Sequence, residues 1–89
     1  MTTHSSHPEI IKRLRRVEGH LRSVIVMLEE GCGCLEIVQQ MQAVESAVAS
    51  AKRTLVHDHI DHCLAGAVRD GSGQADTTIR EFKAITRYL

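Results

Sequence analysis

Between Gly33 and Gly66 the chain carries neither glycine nor proline. Nothing in that stretch breaks a helix, so the pattern predicts one helix from about Leu35 to about Val68, roughly 50 Å long at 1.5 Å per residue. An 89-residue chain is too short to wrap such a rod by itself. The rod needs partners along its whole length, and at least a dimer is expected. Composition points the same way. One Phe, one Tyr and no Trp leave a core of Leu, Ile, Val, Met and Ala. Small cores of that kind depend on a metal, a disulfide or oligomerisation.

The apolar seam of this helix reads Val38, Met41, Val44, Val48, Ala51 and Leu55, with Ala43, Ser46, Ala47, Ala49 and Ser50 small enough for a neighbouring helix to approach closely. His59 continues the seam, and Cys63 lies one turn further on the same face. Soft sulfur beside imidazole is a donor set for a late first-row metal ion. A third donor, Cys34, opens the helix, where unpaired N–H groups and the dipole favour a thiolate. Cys34 and His59 are 25 residues apart. A continuous helix separates them by about 37 Å. A metal held by both must therefore be shared by two copies running antiparallel.

Upstream, Pro8 and Glu9 suit a helix start. Ile10, Leu14, Val17, Leu21, Val24 and Leu28 then form a heptad seam, and Gly31 predicts a stop near Glu30. Lys12, Arg13, Arg15, Arg16 and Arg22 crowd this helix, and Lys52 and Arg53 add charge on the second. The formal net charge is zero, yet a local basic face of this kind suits phosphate. Gly31–Cys34 is read as a tight turn, with Cys32 as a spare thiol, and Asp70–Gly73 as a second break. A short third helix follows, capped by Asp76 or Thr77, with Ile79, Phe82, Ile85 and Leu89 on one face as a lid over the hairpin. The expected architecture is all-α, one domain over 1–89: a polar tail at 1–7, then helices at about 8–30, 35–68 and 76–89. His4 and His7 in the tail are further candidate ligands.

Several classes fall away. No apolar run is long enough to span a membrane and no signal-peptide pattern is present, so a cytoplasmic protein is expected. There, three cysteines suit metal binding or thiol chemistry better than structural disulfides. His59 and Cys63 could pair as base and nucleophile, but no oxyanion site, orienting partner or substrate pocket accompanies them. Neither an enzyme nor a small-molecule substrate is expected.

The run Ile11-Lys-Arg-Leu-Arg-Arg-Val-Glu-Gly-His-Leu21, then Cys34, Gln39-Gln-Met-Gln-Ala-Val44 and His57-Asp-His-Ile-Asp-His-Cys63 resembles the copper-sensitive-operon-repressor (CsoR) family, with its nickel/cobalt- and formaldehyde-responsive relatives. The resemblance covers nearly the whole chain. It implies a repressor that binds operator DNA without a helix-turn-helix, dimers built as antiparallel four-helix bundles, and a dimer of dimers. It implies Cys34 of one protomer and His59 with Cys63 of the other as metal ligands, Arg13 as a DNA contact, and Glu81 as a carboxylate that hydrogen-bonds the ligand histidine. Lys12, Arg16, Lys52 and Arg53 join Arg13 on charge alone. Copper-type members often carry Tyr just before the first Cys, where Gly33 stands here.

Two thiolates and an imidazole satisfy trigonal Cu(I) unaided, whereas Ni(II) and Co(II) take four or more ligands including nitrogen. The His-bearing leader looks most like that of the cobalt/nickel-efflux regulators, with His4 as the added donor. Ni(II) or Co(II) is the favoured signal, Cu(I) the alternative, and a persulfide or formaldehyde signal the third. A metal storage or chaperone protein would share the Cys and His residues without needing the basic stretch. A purely structural bundle would need neither.

Overall fold

In a computed structural model, residues 6–70 and 75–89 are described, the side chains of 63–70, 75, 76 and 78 excepted. They form three helices: α1 (His7–Glu29), α2 (Cys34–Asp70) and α3 (Ala75–Thr86). No strand occurs among the described residues, and the fold is all-α. Among the described residues no helix is long and apolar enough to cross a membrane.

The α1–α2 turn follows from Gly31. Its φ of 71° is the left-handed value at which a helix is closed by a Schellman motif. Cys32 N–H donates to Met27 O at 3.0 Å and Gly31 N–H to Leu28 O at 3.2 Å, satisfying carbonyls the helix end would leave unpaired. Two residues later Gly33 O accepts from Ile37 N–H at 3.1 Å, so Gly33 caps α2 and Cys34 is its first helical residue. The second helix then runs 37 residues without a break.

The two long helices lie antiparallel, and side-chain contacts among the described residues tie them together. Ser6 Oγ donates to Asp58 Oδ2 at 2.5 Å, Arg13 Nη1 to Thr54 Oγ1 at 3.4 Å, and His20 Nε2 stands 2.6 Å from Gln40 Oε1. Between them Ile10 and Val24 of α1 and Ile37, Ala51 and Val56 of α2 are buried.

Here the structure divides what the sequence reads as single seams. On α1, Ile10 and Val24 turn inward, while Leu14 (43 % exposed), Leu21 and Leu28 face outward beside Ile11 and Ile25. On α2, Ile37 and Ala51 turn inward and Val44 is half-buried, while Val38 (60 % exposed), Met41, Val48 and Leu55 remain outside. The reason is thickness. The protomer measures 59 × 23 × 13 Å, and its thinnest dimension is little more than one helix diameter of about 10–12 Å. A layer one helix thick buries only the line where its two helices touch. The lid is also narrower than expected. Phe82 and Ile85 are half-buried, but Ile79 is exposed, and Leu89 lies beyond the end of α3, which stops at Thr86.

Candidate metal centre and nucleic-acid interface

Three candidate ligands, Cys34, His59 and Cys63, lie on α2. Cys34 occupies its first turn and is exposed, and Cys32 in the preceding turn is half-buried. His59 lies toward the other end, half-buried, with Nε2 3.6 Å from Glu81 Oε2 of α3. A carboxylate beside a ring nitrogen is an arrangement that orients an imidazole. Position 63 is part of α2 one turn beyond His59, its side chain outside the described residues, as is the whole of His4. Among the described residues no three His, Cys, Asp or Glu gather as a metal cluster. Within one chain, Cys34 and His59 stay a helix length apart, about 37 Å.

They do share a face. Cys34, Val38, Met41, Glu45, Val48, Lys52, Leu55 and His59 follow one another at spacings of four and three, the heptad rhythm of a helix–helix seam. All except half-buried His59 are exposed in the protomer. The two donor ends thus bracket an apolar stripe that the hairpin does not cover.

The basic residues do not form one patch. Arg13 and Arg16 line a groove of about 320 Å³ with Val17, His20, Ala47 and Ser50, at the α1–α2 boundary. Lys12 lines a different hollow, with Glu9 and Arg15. Arg53 is exposed one turn from Ser50, on the groove side of α2. Lys52 stands apart, in an apolar hollow of about 200 Å³ among Ile10, Leu14, Val48, Ala51 and Leu55. Arg13 also meets Glu9 at 3.6 Å.

The contacts between α1 and α2 escaped the reading of the sequence. Ser6–Asp58 joins the start of α1 to the residue preceding His59, and Gln40 of α2 meets His20, which lines the arginine groove. The signal that could have found them is hairpin register, since residues equidistant from the Gly31 turn face one another.

The family model described as metal-sensitive transcriptional repressor matches residues 6–88. This chain belongs to the metal-sensitive transcriptional repressor family. Among members of this repressor family, it is 41% identical over 78 residues to the copper-sensing transcriptional repressor RicR of Mycobacterium tuberculosis (strain ATCC 25618 / H37Rv), covering 88% of this chain and 81% of that one. Its fold matches the nickel-responsive transcriptional regulator InrS with a TM-score of 0.83 at 30% identity, over 100% of this chain and 99% of that one. It matches the copper-sensing repressor CsoR with Cu(I) from Geobacillus thermodenitrificans NG80-2 with a TM-score of 0.80 at 33% identity, over 98% and 88%. Against the copper-sensing repressor CsoR of Mycobacterium ulcerans (strain Agy99), 40% identical over 65 residues and 73% of this chain, the match spans 56% of the relative's length. As a repressor-family member, the chain shares its three-helix all-α fold with relatives named for copper and for nickel.

Proposed function

We propose that this chain is a metal-responsive transcriptional repressor that binds operator DNA when metal-free and lets it go on binding Ni(II) or Co(II), thereby controlling a metal efflux or homeostasis gene. The observation that carries this reading is the uncovered stripe of α2 with Cys34 at one end and His59 at the other. Two copies laid antiparallel along that stripe bring each Cys34 to the partner's 59–63 turn. Cys34, His59 and Cys63 are the ligands in this reading, with Glu81 holding the His59 ring. Arg13 and Arg16 in their groove meet DNA phosphates, and Lys12 and Arg53 extend the charge. The working unit is a dimer that assembles into a tetramer, acting in the cytoplasm on DNA rather than on a small-molecule substrate.

When bound, the ion supplies a crosslink between the start of one α2 and the far end of its partner. The rest is done by the chain. Ser6, at the head of α1, is bonded to Asp58, next to His59, so a shift of the 59–63 turn is passed to the helix that carries Arg13 and Arg16. The coupling between metal and DNA has to reach about 3 kcal/mol for release to exceed a hundredfold.

The Ser6–Asp58 bond also supports the choice of metal. His4 is two residues before Ser6, within about 7 Å of it at full extension. That distance lets a nitrogen donor from the leader join the set, as Ni(II) and Co(II) require. A second reading, Cu(I), is favoured by the three-donor set Cys34, His59 and Cys63, which needs no leader, and by the copper-sensing relatives RicR and CsoR.

Anaerobic titration of the reduced protein, read by sulfur charge-transfer absorption and by anisotropy of labelled operator DNA, decides between them. Ni(II) or Co(II) is expected to release DNA, and His4→Ala to weaken that response by about tenfold or more. Release by Cu(I) alone, with His4→Ala silent, selects the copper reading. DNA affinity that no metal changes rejects metal sensing and leaves a persulfide or formaldehyde signal at Cys34.

A further inference from the structure

The uncovered stripe of α2 carries two charges among its apolar residues, of opposite sign. Lys52 lies in the hollow with Val48 and Leu55. Glu45 lies in a second hollow of about 350 Å³ with Leu21, Met41 and Val44. Both side chains are exposed in the protomer, and among the described residues neither has a salt-bridge partner. A charge on a face that a second copy covers is destabilising unless the covering surface supplies its opposite.

We infer that Glu45 of each copy pairs with Lys52 of the other across the two-fold axis, which makes Lys52 an interface residue and not a phosphate contact. The inference rests on the shared-site reading above, and the register comes from it. Antiparallel helices related by a two-fold axis match residues equidistant from that axis. An axis that sets Cys34 level with position 63 lies midway between them, and that point is also midway between 45 and 52. Cys34 level with His59 instead moves the axis by two residues, about 3 Å. The charges are then offset by about 6 Å along the helices, which the stems of Lys and Glu together can span. The register that closes the metal site therefore brings the acidic hollow of one copy onto the basic hollow of the other, twice per dimer. A parallel arrangement would lay Glu45 on Glu45 and Lys52 on Lys52, so the pair also selects the antiparallel orientation.

The test is charge reversal on the full-length, metal-free reduced protein. Dimer dissociation is followed by sedimentation equilibrium, and partner choice by native mass spectrometry of mass-tagged chains. Lys52→Glu and Glu45→Lys each place two like-charge pairs at the axis. Each is expected to weaken the dimer by about tenfold or more, with helical content by circular dichroism unchanged. An equal mixture of the two single variants restores both attractive pairs in every mixed dimer, so heterodimers should exceed the statistical half. The double variant should return to within about threefold of wild type, allowing for the modest worth of half-exposed pairs. Single variants that dimerise like wild type, or a mixture that stays statistical, overturn the pairing while leaving the dimer itself standing. A wild-type protein that remains monomeric at every concentration removes the shared-site reading along with it.

Discussion

At the scale of single residues the informative contact is His59 with Glu81. The carboxylate stands 3.6 Å from Nε2, on the third helix, 22 positions downstream of the imidazole it faces. In the proposed site its work is to hold the ring and its tautomer, and partners of that kind typically change metal affinity by about 10- to 100-fold. Glu81→Gln is therefore expected to lower the affinity for the inducing metal by that factor and to leave the operator affinity of the metal-free protein unchanged. Competition against a chelator of known affinity, beside an operator titration, measures both. Equal loss of DNA binding would instead assign Glu81 to folding of α3. How much of this was legible depends on the residue. Cys34, His59 and Cys63 stood out by donor type and spacing alone. Glu81 came only from the family resemblance, because nothing in local spacing links a third-helix carboxylate to a second-helix imidazole. Ser6–Asp58 was not seen at all, since a hairpin's facing pairs require the register of its turn, and one residue of slip rotates every partner by about 100°.

At the scale of elements, α1 and α2 were readable because their punctuation is chemical, whereas α3 starts at Ala75, so the cap expected at Asp76 or Thr77 falls inside it, and positions 71–73 of the expected break lie outside the described residues. Gly31 ends α1 with φ at 71°, and the interval between Gly33 and Gly66 leaves α2 unbroken. What could not be read was how each seam would be shared. A heptad rhythm marks a stripe wide enough for two contacts, and the sequence does not say which edge faces the chain's own hairpin. Ile10 and Val24 took one edge, Leu14 and Leu21 the other. The glycines give a direct check of the turn. A Cβ at Gly31 would meet nothing within 4 Å, so the cost of Gly31→Ala is the left-handed backbone alone, about 1–2 kcal/mol. Gly19 lies within α1, with open space around its Cβ direction and no positive φ. There Gly19→Ala should add about 0.5–1 kcal/mol through the smaller backbone entropy lost on folding. Urea unfolding of the metal-free protein should move in opposite directions for the two variants. A shift in the same direction would contradict the Schellman closure.

At the scale of the molecule, the proposed site is a property of the pair of chains, because a hairpin one helix thick holds Cys34 and His59 at opposite ends of α2. That claim can be separated from ordinary dimerisation by complementation. In a dimer of Cys34→Ser with His59→Ala, one of the two sites loses both residues and the other keeps both. Each homodimer has two crippled sites. Mixing the inactive variants should therefore create one complete site per heterodimer, up to about a quarter of all sites if exchange between chains is random. Sulfur charge-transfer absorption at saturating metal should rise on mixing, after chains have exchanged, toward that fraction of the wild-type signal. A site confined to one chain predicts no recovery, since every chain in the mixture lacks a ligand. The stoichiometry adds a second reading from the same sample. If operator release needs only one crosslink per dimer, the mixed protein should respond to metal with more than a quarter of the wild-type amplitude. If it needs both, metal binding should recover while release does not, which would show that the two ends of the dimer act as one switch.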